Sequence, residues 1–137
     1  MPIVAPLEEL SHEECLRLLA TTTLGRVGVS IAALPAVLPV NFALHDGEIV
    51  CCTAPGTKLD VATVRTVVAF ESDDYDAGTG AGWSVLVRGV ARAVVEEDEL
   101  TRLRSLPLTW SAFDGAGERF VRVTMDLVTG RRVVRSG

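Results

Sequence analysis

Apolar and polar residues alternate with a period of two through most of the chain and change to helical spacing only in short stretches. From Leu24 onward, Gly25, Val27, Val29 and Ile31 fall on one side and Arg26, Gly28 and Ser30 on the other, the pattern of a half-buried strand. Residues 35–44 form a second extended run. Asp46-Gly47 then supplies the positive φ angles of a tight hairpin turn into a third strand over 48–53. Residues 66–71 read as a fourth strand, the Asp/Gly-rich stretch 72–82 as an exposed loop, and 83–95 as a long fifth strand in which Gly89 marks a bulge or bend. A sixth strand covers 119–127, and Thr129-Gly130 reads as a turn into a last short segment, 131–135.

Helical spacing is confined to three places. Ser11 and Glu14 form a capping box, with Leu10 and Cys15 as its hydrophobic staple, and predict a helix over 12–20. Pro55-Gly56 ends the third strand, after which Thr57 as N-cap and Leu59, Val61, Ala62 and Val64 suit a short helix. Residues 96–106 open on four acids, carry Arg102 and Arg104 near the end and stop at Pro107, in keeping with the helix dipole. Six or seven strands joined by hairpins, with only short helices, predict a mainly β protein. The expected form is a closed or nearly closed antiparallel barrel, because closure removes exposed strand edges. The 137 residues show no internal repeat or linker and are expected to form one domain over 1–137.

Composition narrows the partners. Hydrophobic residues make up 48% of the chain but aromatics only 5%, so the core is built from small side chains, chiefly Val and Ala. A net charge of −5, with acids gathered at 73–76 and 96–99, argues against nucleic acid and anionic membrane as partners. Cys15, Cys51 and Cys52 are an odd set, and adjacent strand residues face opposite ways, so no disulfide framework is expected. The N-terminus has no signal-peptide pattern and no apolar run could span a bilayer, so a cytoplasmic protein is expected. His12 and His45 read as surface residues without metal-ligand spacing.

Three segments carry candidate chemistry. In Thr53-Ala54-Pro55-Gly56-Thr57-Lys58-Leu59 a strand end, a glycine loop, a hydroxyl and a lysine converge on a predicted helix N-terminus. Such amides have no intrahelical acceptor and attract anions, phosphate above all. Lys58 is the only lysine among 13 basic residues. Spacing alone equally allows an ordinary Thr57-capped loop with Lys58 in solvent. In Val37-Leu38-Pro39-Val40-Asn41 a proline interrupts a strand, which places it at an edge, a bulge or a ligand. In the third segment Trp83, Val85 and Val87 face one way and Ser84, Leu86 and Arg88 the other.

The order of these segments, with Leu24-Gly25-Arg26-Val27, Val68-Ala69-Phe70-Glu71 and Thr129-Gly130-Arg131-Arg132, resembles the pyridoxamine 5′-phosphate oxidase-like family with the FMN-binding split-barrel fold, especially its short members. The resemblance implies a homodimer with two flavin sites at the subunit interface. Thr53, Thr57 and Lys58, with Leu59, would hold the phosphate, and the ring would lie along Val37, Leu38, Pro39, Val40 and Asn41. Trp83 and Ser84 would come from the partner, and Trp110, Arg131 and Arg132 are candidates for closing the site. It further implies a flavin-dependent oxidoreductase that transfers hydride to or from a small organic substrate. FMN is the expected cofactor, with deazaflavin F420 as the alternative, and no catalytic acid or base is assigned. A flavin carrier or redox sensor, and a barrel without cofactor, are the competing readings. The C-terminal arginine- and histidine-bearing segment of the name-giving enzymes has no counterpart before Gly137, so vitamin B6 oxidation is not implied.

Overall fold

The computed structural model describes residues 7–53, 66–108 and 119–133. Its elements are β1 (Leu7–Glu9), α1 (His12–Leu19), β2 (Leu24–Ile31), β3 (Leu34–His45), β4 (Glu48–Thr53), β5 (Thr66–Tyr75), β6 (Gly82–Ala93), α2 (Glu97–Leu103), β7 (Arg119–Thr124) and β8 (Leu127–Val133). The strands form one antiparallel sheet in the order β1-β8-β6-β5-β2-β3-β4-β7, and β6 pairs with β7 as well. Six strands, from β6 round to β7, therefore close a barrel, and β8 and β1 extend it as a flap beside β6. The expected barrel holds, with two more strands than its closed core needs.

Alternation fills the interior. Val27, Val29, Val40, Phe42, Val68, Phe70, Val85, Val87, Val121 and Val123 are buried together, and the Phe42 and Phe70 rings meet edge to face at 4.7 Å. Gly25 lies under the Phe70 ring, where a Cβ would collide with it. A smaller cluster of Val50, Val94, Leu103 and Phe120 packs α2 against the outside of the barrel. At the other end the Glu14 amide donates to Ser11 Oγ at 3.2 Å, as the capping pattern predicts. The Glu14 carboxylate accepts from Arg17 at 3.2 Å and from Arg132 at 3.1 Å, tying α1 to β8.

Three sequence expectations are corrected. Residues 72–75 are strand, not loop. Ser72 is buried, its hydroxyl donating to Leu24 O at 2.8 Å and meeting the Thr22 hydroxyl at 2.9 Å, while Asp73 is tolerated outside because Arg26 neutralises it at 3.3 Å. Thr129 and Gly130 lie inside β8, and the chain reverses before it, between β7 and β8. Gly130 is needed there because a Cβ would stand 2.6 Å from Cys15 Sγ and 3.0 Å from Leu10 Cδ1, so its bare backbone lets α1 close on the sheet. Gly89 is not a bulge, since the β5–β6 register runs unbroken through Val68↔Gly89. It sits where β6 passes from β8 (through Arg88) to β7 (from Ala91), and its missing Cβ leaves room for the Thr124 carbonyl.

Candidate functional site

Among the described residues the barrel wall is incomplete at β3. Residues 34–41 pair with β2, and pairing with β4 begins only at Phe42↔Cys51, although β4 runs on to Thr53 and stays paired with β7 there. Among the described residues, the edge of β3 from Val37 to Val40 therefore has no strand on its β4 side. The Phe42 amide donates to Thr23 O at 3.0 Å, on the β2 side. The period of two turns the main-chain groups of Leu38 and Val40 the same way, and those of Val37 and Pro39 toward the gap. Pro39, which has no N–H, thus removes no ladder bond.

Side chains divide in the same rhythm. Val37 is 69% exposed and Pro39 is also exposed, both pointing outward. Val40 is buried and Leu38 packs against the core from a half-buried position, so these two predicted site residues can contribute only as scaffold. Asn41 is half-buried, its Nδ2 donating to Thr23 O at 3.0 Å. Thr53 ends β4, opposite Arg119 of β7. Thr57, Lys58, Leu59 and Trp110 lie outside the described residues. Cys51 faces the core, where burial and then the neighbouring Cys52 push its thiol up to about 12, which leaves it inert as a nucleophile.

Trp83, Ser84, Arg131 and Arg132 meet at the far end of β6, where Trp83 pairs in register with Arg132 and Ser84 with Arg131. Trp83 packs half-buried against the core, while Ser84 and Arg131 are exposed on the outer surface. Two open cavities flank this point. One of about 590 Å³ is lined by Asp74, Trp83 and Arg132, and the other, of about 470 Å³, by Tyr75, Gly82, Ser84 and Arg131. β3 and β6 are three strands apart in a barrel of six, on opposite sides. One chain therefore does not bring Asn41 and Ser84 to the same small molecule.

Between the two regions lies a charged cluster that the sequence did not single out. Arg26 of β2 stands between Pro39 and Glu71 in register. Its guanidinium bonds Glu71 Oε1 at 2.7 Å and Asp73 Oδ2 at 3.3 Å. Partial burial, together with the hydrogen bond and charge of Asp73, raises the Glu71 carboxyl to about 7 against the opposing pull of Arg26. Following the β5 alternation two residues further, through buried Ser72, would have placed Asp73 beside Arg26 from sequence.

An antiparallel six-stranded barrel split beside a proline-bearing strand, with an arginine- and aromatic-lined rim opposite, defines a split-barrel protein. The chain belongs to the pyridoxamine 5′-phosphate oxidase family, whose model matches residues 11–132. It is 37% identical over 131 residues to an uncharacterized protein of Mycobacterium tuberculosis, covering 92% of this chain and 85% of that one. Among solved structures it is similar to the FAD binding protein from Mycobacterium smegmatis, with a TM-score of 0.79 and 36% identity over 93% of this chain and 98% of that one. It is also similar to a putative pyridoxamine 5′-phosphate oxidase from Corynebacterium glutamicum, with a TM-score of 0.81 and 29% identity over 99% and 100% of the two chains. No helix among the described residues is long and apolar enough to cross a membrane.

Proposed function

We propose that this chain is a flavin-dependent oxidoreductase of the cytoplasm that works as a homodimer, moving a hydride to or from a small organic substrate. The observation that carries the reading is the edge of β3 beside the end of β4 that no strand covers among the described residues, in a member of this family. The FAD-binding Mycobacterium smegmatis protein, 36% identical over nearly the whole chain, supports a flavin as the guest.

The residues present fit such a group. Val37 and Pro39 offer an exposed apolar surface to one face of a ring, and the main-chain groups of Val37 can meet its polar edge. Thr53, Thr57 and Lys58 suit a phosphate. When bound, the flavin supplies the two-electron chemistry itself. The chain's part is to hold it, to exclude water and to set main-chain donors where negative charge gathers. The proposed groups address one ring and one phosphate, which is the part FMN contains; F420 is the alternative. Because Asn41 and Ser84 lie on opposite sides of one barrel, a second copy is what would bring the Ser84 and Arg131 rim over the ring.

Titration of the purified protein with FMN, FAD and F420, read by absorbance and fluorescence, tests the reading together with molar mass in solution. Flavin binding by a dimer is expected. Lys58→Ala should weaken that binding about 10- to 150-fold, the value of one charge-assisted hydrogen bond. A colourless monomer indifferent to all three cofactors would overturn the proposal. Flavin that is reduced by nicotinamide nucleotides yet passes electrons to no acceptor would make the protein a carrier instead of an enzyme.

A further inference from the structure

The 470 Å³ cavity on the outer surface beside Trp83 is shaped for a ligand of definite chemistry. Its volume falls in the range of small-molecule sites. Its floor is Gly82, where a Cβ would stand 3.2 Å from Tyr75 Cδ2 and 2.8 Å from Asp74 O. The glycine thus lets the Tyr75 ring lie close along the strand, while 69% of that residue remains exposed as a flat platform. Leu7 and Val133 add apolar wall.

The wall behind Tyr75 is already fixed. Asp76 Oδ1 accepts from the amides of Gly78 and Thr79 at 2.8 and 3.3 Å. The Asp76 amide donates to Ala81 O at 2.9 Å, and Gly80 takes a φ of 75°. Asp76 is thereby used in the turn, and Asp73 in the pair with Arg26 at 3.3 Å. Asp73 and Asp74 both line the cavity as well, Asp73 engaged by Arg26 and Asp74 set by alternation on the opposite side of β5 from Tyr75. Arg131 and the Ser84 hydroxyl lie next to each other in register and exposed on the cavity's side of the sheet. Neither makes a side-chain hydrogen bond or ion pair with another described residue, so a cation and a hydroxyl are left to a guest.

We infer that this cavity is the substrate pocket, and that its substrate class is a planar conjugated molecule carrying one acidic group, with the ring on Tyr75 and the acid on Arg131 and Ser84. What is done to the bound molecule rests on the proposed redox function; the binding itself does not.

Calorimetry on the purified full chain tests this with three probes: 2-naphthoate, which is planar and acidic, 2-naphthalenemethanol, planar and neutral, and cyclohexanecarboxylate, acidic without a conjugated ring. The naphthoate should bind about tenfold more tightly than either of the others, as one charge-assisted bond or one stacked ring provides. Arg131→Gln should erase the advantage over the alcohol. Tyr75→Ala should erase the advantage over the cyclohexane acid, and Tyr75→Phe should keep it. Both positions are exposed, so the variants should fold, and circular dichroism checks that they do. Equal binding of the three probes, or selectivity unmoved by Arg131→Gln, overturns the inference. Flavin content measured on the same samples separates the two readings: selective naphthoate binding without flavin sinks the oxidoreductase and keeps the pocket, whereas flavin binding without selectivity sinks the pocket alone.

Discussion

Two arginines stand on the outside of this barrel, each paired with a glutamate from another strand, and they live in different surroundings. Arg122 of β7 keeps 5% of its side chain exposed. Its Nε donates to Glu48 Oε1 at 2.6 Å, and Nη2 donates to His45 O at 2.8 Å. Arg92 pairs beside it in register and is held by Glu99 of α2 at 3.1 Å, so two adjacent cations are matched by two acids under a helix. Arg26 of β2 keeps 40% exposed and shares itself between Glu71 and Asp73, which are 31% and 40% exposed. The same residue types therefore fix the wall on one side and leave an adjustable charge on the other. Burial and the number of fixed acceptors separate the two cases.

The largest effect should follow from breaking the enclosed cluster. Arg122→Ala leaves Glu48 partly buried without its main cation and should cost about 3–5 kcal/mol in urea unfolding, since an uncompensated buried charge is strongly unfavourable. Replacing both partners, as in Arg122→Met with Glu48→Leu, should recover at least half of that loss, because apolar groups of similar volume need no counterion. A single-variant loss below about 1 kcal/mol would place Arg122 in the same class as Arg26.

Alternation along 119–127 separates Phe120, Arg122 and Thr124 from Val121, Val123 and Met125, but does not say that the side Arg122 takes is covered. Glu48 and His45 lie 74 and 77 residues away in the chain, and the packing of α2 on Val50 and Phe120 beside them leaves no local signal. Turns show the same limit. Asp46-Gly47 announced the β3–β4 hairpin and takes φ angles of 51° and 74°. The β2–β3 turn is Ala32-Ala33, with φ angles of 50° and 65°, which no residue preference would suggest because alanine rarely adopts them. For the site, the prolines made the β3 segment legible. Tyr75 went unnoticed because the acids and glycines around it read as loop.

At the open cluster the expected signal is a pH dependence. Glu71 titrates at about 7 in the folded chain against an ordinary 4.5, so the folded state holds an extra proton between those values. The stability this lends is complete below about 4.5 and is lost as pH rises through about 7. Glu71→Gln should remove that slope, so the difference in melting temperature between variant and parent should grow in the variant's favour from pH 4.5 to pH 7.5. An offset that is the same at every pH would mean that Glu71 titrates as an ordinary surface carboxyl.

The smallest effect on stability should come from Arg26→Ala. Its pairs are solvent-screened and worth under about 1 kcal/mol together, so urea midpoints at pH 8 should move little. The informative change lies in the titration. Arg26 is the group that pulls Glu71 down, while burial and Asp73 push it up. Without the cation, the two carboxyls are left to share a proton, and Glu71 should titrate above its parent value when followed by carboxyl carbon chemical shifts. A downward move, or a stability loss matching that of Arg122→Ala, would show that Arg26 is a structural clamp and that the two clusters do not differ in kind.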